Sequence, residues 1–195
     1  RCAGKLVSGF KGMETRYFDH AATTPVDVRV AESIIPFYST HFGNPSSAHV
    51  YGIEARKAVE KARKAVASLL GARPAEVVFT SGGTEANNAA LKGIVFANRG
   101  RGGHIITSSI EHDSVLDTCL FLEQQGVSIT RLPVDRYGQV DPEDVRRAIT
   151  DRTLLISIMH ANNEIGTVQP LAEIGRIARA ARVPFHTDAV QTFGH

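Results

Sequence analysis

From Val77 onward short apolar runs alternate with longer amphipathic ones, and no other feature of the chain narrows its fold as much. Runs of strand length occupy Val77–Thr80, His104–Ser108, Val127–Pro133, Thr153–Met159 and Val183–Thr187. Between them Thr84–Asn98, Ser114–Gln125, Pro142–Ile149 and Leu171–Ala181 carry apolar residues at helical spacing. Repeated strand–helix units with short apolar strands predict an α/β fold, a mostly parallel sheet with helices on both faces. Upstream, a short helix is expected over Val26–Tyr38, following Pro25 in a position suited to a first helical turn. Phe42–His49 (FGNPSSAH) is too rich in turn-forming residues for helix or strand and is expected as a loop. Tyr51–Leu70 is the longest helical candidate. Ala55, Val59, Ala62, Val66, Leu69 and Leu70 recur at helical spacing, and Gly71 closes it.

The two ends carry different expectations. Arg1, Lys5 and Lys11 bring charge without any acid through Gly12, and no apolar core of signal-peptide length accompanies them. Residues 1–15 are expected as a disordered segment, a short mitochondrial-type presequence or a cloning remnant before Met13. Ordered structure is expected from Arg16, so that 16–195 form an N-terminal segment and part of a large domain. His195 stands only seven residues after Asp188, with no helix behind the last apolar run. A doubly wound sheet normally covers such a strand end with another crossover, so the fold is expected to be truncated before completion.

Composition removes several classes of function. Lys+Arg 22 against Asp+Glu 20 leaves a net charge of +2, with basic residues scattered among acids, which argues against a nucleic-acid binder. Zero Trp and 7% aromatic residues point the same way for single strands. No apolar stretch has the length to span a membrane. Cys2 and Cys119 can form neither a disulfide framework nor a metal cluster, so no metal site is expected and a reducing, cytoplasmic setting is.

In parallel α/β sheets ligands bind beyond the carboxyl ends of the strands, so the residues that follow each run matter most. After Val77–Thr80 comes Ser81-Gly82-Gly83-Thr84-Glu85, opening straight into a helix. Glycines allow close approach of backbone N–H groups to an anion, hydroxyls add donors, and the helix N-terminus is electropositive. The alternative is a Ser/Thr cap on a glycine turn. Lacking the Lys of a phosphate-binding loop and the dinucleotide GxGxxG, the stretch argues against nucleotide hydrolysis and hydride transfer. After His104–Ser108 comes His112, which either packs on a planar ligand, moves protons, or sits at a helix start. Asn162-Asn163 after Thr153–Met159 offers amides for a ring hydroxyl, or ordinary turn chemistry. Asp188, after Val183–Thr187, is costly at a buried strand end unless it faces a cation or strong donor; a protonated pyridine nitrogen is one, a helix cap the alternative. Jointly the four describe a pocket for a phosphorylated aromatic ring, and pyridoxal phosphate has that form.

The stretches YFDHAATTPVD (17–27), FGNPSSAH (42–49), VVFTSGGTEANN (77–88), ITSSIEHDSVLDTC (106–119), SIMHANNEIGTVQP (157–170) and FHTDAVQ (185–191) resemble the cysteine desulfurases, fold-type-I pyridoxal-phosphate enzymes of class V. The resemblance runs from Tyr17 to Gln191 in matching order and spacing. It implies the large domain of a pyridoxal-phosphate-dependent transferase with a mixed seven-stranded sheet, and a homodimer. The reaction it implies converts L-cysteine to L-alanine and passes the sulfur, as a persulfide, to a sulfur-acceptor protein for iron–sulfur clusters or thio-modification. By motif position it places Gly83 and Thr84 at the phosphate and His112 as a catalytic residue stacked on the ring. Asn163 and Gln191 then face the 3-hydroxyl and Asp188 the ring nitrogen. Ala21, Ala22, Thr23 and Asn44 fall near the substrate entrance.

The resemblance also implies a Schiff-base lysine in a Ser-Gly-His-Lys motif, a persulfide cysteine and a substrate-binding arginine, none of which it places within these 195 residues. Lys5, Lys11, Lys57, Lys61, Lys64 and Lys92 occupy terminal or helical positions, Cys119 reads as an inert packed thiol, and His195 receives no catalytic role. The chain alone is therefore expected to be inactive. Two alternatives accompany this reading: a selenocysteine lyase or another class V lyase or aminotransferase, and a short non-catalytic protein that pairs with a full-length subunit.

Overall fold

The computed structural model describes residues 16–98 and 103–194. The expectation for residues 1–15 and the readings of Lys5, Lys11 and His195 lie outside them. The first helical segment is two helices rather than one. The Asp27 carboxylate accepts from the Arg29 N–H at 2.8 Å and starts α1 (Val28–Ile34). Pro36 brings no N–H to continue the ladder, so the chain restarts there as α2 (Pro36–Ser39). The long helix α3 (Val50–Leu70) ends where Gly71 adopts φ 62° and its N–H caps the carbonyls of Ala67 and Ser68.

Val77–Thr80, expected as a strand, is not one. It runs extended after a single 3-10 turn (Pro74–Glu76), with Val78 78% exposed. A strand exists only through a partner, and no described strand lies beside this segment to take its ladder bonds. It is held to α3 instead. The Arg63 guanidinium donates to the Val77 carbonyl and lies 4.9 Å from the centroid of the Phe79 ring.

The remaining strands are β1 (His104–Ser108), β2 (Ser128–Leu132), β3 (Thr153–Ser157) and β4 (Phe185–His186). They form one parallel sheet in the order β2-β1-β3-β4. Its helices are α4 (Gly83–Ala97), α5 (Asp113–Gln124), α6 (Pro142–Ala148) and α7 (Leu171–Ala181). The two-residue period of the pleat divides the core. Ile106 and Ile156 face one side with Val145 of α6 and Ile174 and Ile177 of α7. Ile105 and Leu155 face the other with Leu91 of α4 and Val115 and Leu122 of α5. Each such side chain, buried from water, contributes about 1.5–3 kcal/mol, enough to fix which helix covers which face.

Strand β4 is shorter than the expected Val183–Thr187, yet its backbone pairing continues past its ends. The N–H groups of Ile156, Ile158 and His160 donate to the carbonyls of Pro184, His186 and Asp188 at 3.0, 3.1 and 2.8 Å. This register carries Asp188 to the same rim of the sheet as the residues that follow β1 and β3. No described helix is long and apolar enough to cross a membrane.

Candidate functional site

At the carboxyl rim of β1, β3 and β4 lies a cavity of about 300 Å³. Its wall includes Gly83 and Thr84 from the start of α4, His112 and Ser114 from the start of α5, and Met159, Ala161 and Asn163 after β3. Asp188, Val190 and Gln191 after β4 complete it, with Ala21 and Ala22 from the N-terminal segment. Eight residues singled out in the sequence thus share one cavity. Thr23 and Asn44 do not line it: the Asn44 carboxamide accepts from the Ser46 N–H at 2.9 Å, in a loop that Arg56 ties to α3 through the Pro45 carbonyl.

The α4 end of the cavity presents the electropositive start of a helix. Gly82 precedes the helix and supplies no side-chain cap, so the first N–H groups have no side-chain acceptor there. Gly83 leaves that end open: a Cβ on it would come within 2.7 Å of Val190 Cγ2. Ser81 is engaged elsewhere, since its N–H and hydroxyl both donate to one Glu85 carboxylate oxygen at 2.7 Å. Those two bonds hold the Glu85 carboxyl below its ordinary range.

Of the roles open to His112, the helix start is the one seen, and the residue also faces the cavity. It is the cap of α5, its Nδ1 accepting from the Ser114 N–H at 3.1 Å, and it lines the cavity. The two asparagines separate by partner. Asn162 spends its carboxamide on the loop, accepting from the N–H groups of Glu164 and Ile165 and donating to the Ile110 carbonyl at 2.8 Å. Asn163 lines the cavity. The Asp188 carboxylate accepts from the Val190 N–H at 3.0 Å through Oδ1 and from Asn87 Nδ2 at 2.8 Å through Oδ2. Gln191 donates to the Ala21 carbonyl at 2.9 Å, which closes the cavity with the N-terminal segment.

Three polar residues here were not singled out in the sequence. Asn87 (3% exposed) and Ser114 (8%) stand behind Asp188 and His112, and the position of Asn87 one helical turn after Gly83 was the available signal. Glu111 (5% exposed) accepts through Oε1 from the Ser108 hydroxyl at 2.6 Å and the Met159 N–H at 3.0 Å, while Oε2 has no hydrogen-bond partner among the described residues. Burial raises its carboxyl to about 7. Lys57, Lys61 and Lys64 lie on α3 and Lys92 on α4, away from the cavity. Cys119 is wholly buried, which raises its thiol to about 11. Among the described residues no group of three or more His, Cys, Asp or Glu is placed to hold a metal ion.

The family model for class-V aminotransferases matches residues 16–195. Cysteine desulfurase IscS of Methanosarcina thermophila is 57% identical over 194 residues, covering 100% of this chain and 48% of that protein. Putative cysteine desulfurase IscS 1 of Bacillus subtilis is 52% identical over 182 residues, 93% of this chain and 48% of that protein. Among solved structures, one described as SspA in complex with cysteine superposes with a TM-score of 0.89 at 49% identity, over 92% of this chain and 52% of that one. A NifS-like protein gives 0.87 at 46%, over 90% and 49%. The chain spans about half the length of the curated relatives it matches.

Proposed function

The chain belongs to the class-V aminotransferase family, and on that premise we propose that it carries the cofactor pocket of a pyridoxal-phosphate-dependent cysteine desulfurase. The proposed reaction moves sulfur from L-cysteine to an acceptor thiol, leaving L-alanine and a persulfide. The observation that carries this reading is the set of complementary groups around one cavity: an open helix N-terminus, a carboxylate, an imidazole and two amides. These groups fit the cofactor. Gly83 leaves the end of α4 open for a phosphate, and the Asp188 carboxylate retains lone pairs beyond its two bonds to Val190 and Asn87.

In this reading Gly83 and Thr84 bind the phosphate, aided by the α4 dipole. The Asp188 carboxylate would accept a hydrogen bond from the protonated ring nitrogen and so keep the proton on the ring. Gln191 has its amide nitrogen committed to Ala21, so its Oε1 is the atom left to accept from the 3-hydroxyl, and Asn163 offers a second amide. His112 covers the ring face as the catalytic residue. Ala21 and Ala22, with single methyl side chains, leave room for the substrate. When bound, pyridoxal phosphate supplies an electron-accepting ring that stabilises negative charge on the substrate's α-carbon. L-cysteine as substrate is supported by the names of the relatives and by the structural neighbour described with cysteine. The resemblance further supports a homodimer, a sulfur-acceptor protein as partner and a cytoplasmic setting.

The test is to recover the protein from its host with an antibody, supply pyridoxal phosphate, L-cysteine and a thiol reductant, and quantify products. Equal amounts of L-alanine and sulfide are expected. No alanine from L-cysteine, or alanine from L-selenocysteine alone, overturns the reading.

A further inference from the structure

Asp188 and His112 lie on different elements, yet one buried side chain connects them. Asn87 sits in α4 one turn beyond Gly83 and is 3% exposed, where an unpaired amide would be costly. Its Nδ2 lies 2.8 Å from Asp188 Oδ2 and 2.8 Å from Ser114 Oγ. A carboxylate oxygen only accepts, so the atom facing it is the amide nitrogen, and that nitrogen has one hydrogen for each neighbour. Ser114 Oγ, accepting from Asn87, has its own hydrogen to give and lies 2.8 Å from His112 Nδ1. The Ser114 backbone N–H, which can only donate, reaches the same Nδ1 at 3.1 Å. Nδ1 is therefore an acceptor, and the neutral ring carries its proton on Nε2.

We propose that Asn87 is a positioning residue: it holds the Asp188 carboxylate directly and orients the Ser114 hydroxyl, whose donation joins that of the Ser114 backbone N–H in holding His112 as the Nε2–H tautomer. The helix that offers its N-terminus to an anion thus also orients the acid and the imidazole. This deepens the pyridoxal-phosphate reading and rests on it for its consequence, since acid and imidazole must meet one planar ring together. The hydrogen-bond chain itself stands without any ligand.

The test records the side-chain ¹⁵N resonances of His112 in the full chain without cofactor, assigned by their loss in His112→Gln, and then measures the affinity for pyridoxal phosphate. The wild type is expected to show an unprotonated, hydrogen-bonded Nδ1 and a protonated Nε2. In Asn87→Ala the Nδ1 resonance is expected to shift, as the Ser114 hydroxyl loses the donor that orients it, and affinity to fall about tenfold. Ser114→Ala is expected to move the Nδ1 resonance while weakening binding less, because Asn87 still holds Asp188; Ser114→Thr, which keeps the hydroxyl, restores the wild-type pattern. His112 resonances unchanged in both alanine variants overturn the proposal. Should Asn87→Ala fail to fold, the two Ser114 variants decide it. A wild type that binds no pyridoxal phosphate sinks the cofactor reading alone, and the histidine resonances still decide the positioning role.

Discussion

The side-chain amide of Gln191 donates to the carbonyl of Ala21 at 2.9 Å, joining two residues 170 positions apart in sequence. The bond ties Ala21 and Ala22, in a turn formed where the N–H groups of Ala22 and Thr23 reach the Asp19 carbonyl, to the segment that follows β4.

Gln191→Glu keeps the shape of the side chain and removes the donor. A hydrogen bond of this kind is worth about 0.5–1.5 kcal/mol. Hydrogen exchange at the amides of Ala22 and Thr23 is expected to quicken up to about tenfold, with β1 and β3 unaffected. Unchanged exchange at both amides would show that the bond does not hold the segment.

Glu111 makes the stability depend on pH. Its carboxyl ionises near 7 in the folded chain against 4.5 for an ordinary glutamate, because burial penalises the charge. The folded state therefore binds this proton more tightly than the unfolded state does. Its contribution is fully present below about 4.5 and is lost as pH rises to about 7, up to about 3 kcal/mol in all. Glu111→Gln keeps an acceptor for Ser108 and Met159 and cannot ionise. Urea midpoints followed from pH 4 to 8 are expected to separate in favour of the variant as pH rises; parallel curves contradict the assignment.

Gly83→Ala introduces a Cβ 2.7 Å from Val190 Cγ2, and Val190 is exposed enough to turn aside. The expected effect is a small loss of stability, about 1 kcal/mol, with a larger loss of pyridoxal-phosphate affinity as the displaced side chain crowds the cavity. Adding Val190→Ala is expected to recover most of the affinity. If the double variant binds no better than Gly83→Ala, the crowding argument fails.

Cys119 is packed in the core between α4, α5 and the sheet, with its thiol raised from 9.0 to about 11 by burial. Two units remove about 99% of the thiolate available at a given pH, and burial blocks the reagent as well. In a Cys2→Ser background at pH 8, labelling by a thiol reagent is expected to be at least a hundredfold slower in the native than in the denatured chain. Comparable rates would place Cys119 outside the core.

Local signals carried four of the five expected strands and the helices from α3 onward: β1 and α7 have the residues expected, α3 and α6 differ by one residue at one end, and α4 and α5 begin and end one residue earlier. Val77–Thr80 was misread because its composition is that of a strand, while strand formation depends on a neighbour that composition does not describe. The pairing of Phe42–His49 with α3 through Arg56 likewise takes Asn44 out of the cavity although the motif looked continuous with it. Asn163 rather than Asn162 came from the family resemblance; physically the difference is that Asn162 is used up by its own loop. Asn87, one turn after Gly83, carried a signal in its spacing alone, but Asn87, Ser114 and Glu111 each acquire their partners from elements that only folding brings together.

The central claim is that the cavity at the strand ends binds pyridoxal phosphate through Thr84 and Asp188. Equilibrium dialysis of the chain with pyridoxal phosphate tests it most directly, with Thr84→Ala and Asp188→Ala measured alongside and their folds checked by circular dichroism. The account predicts saturable one-to-one binding, weakened at least tenfold by either substitution in chains that remain folded. Binding that does not saturate, or that both variants retain unchanged, contradicts it.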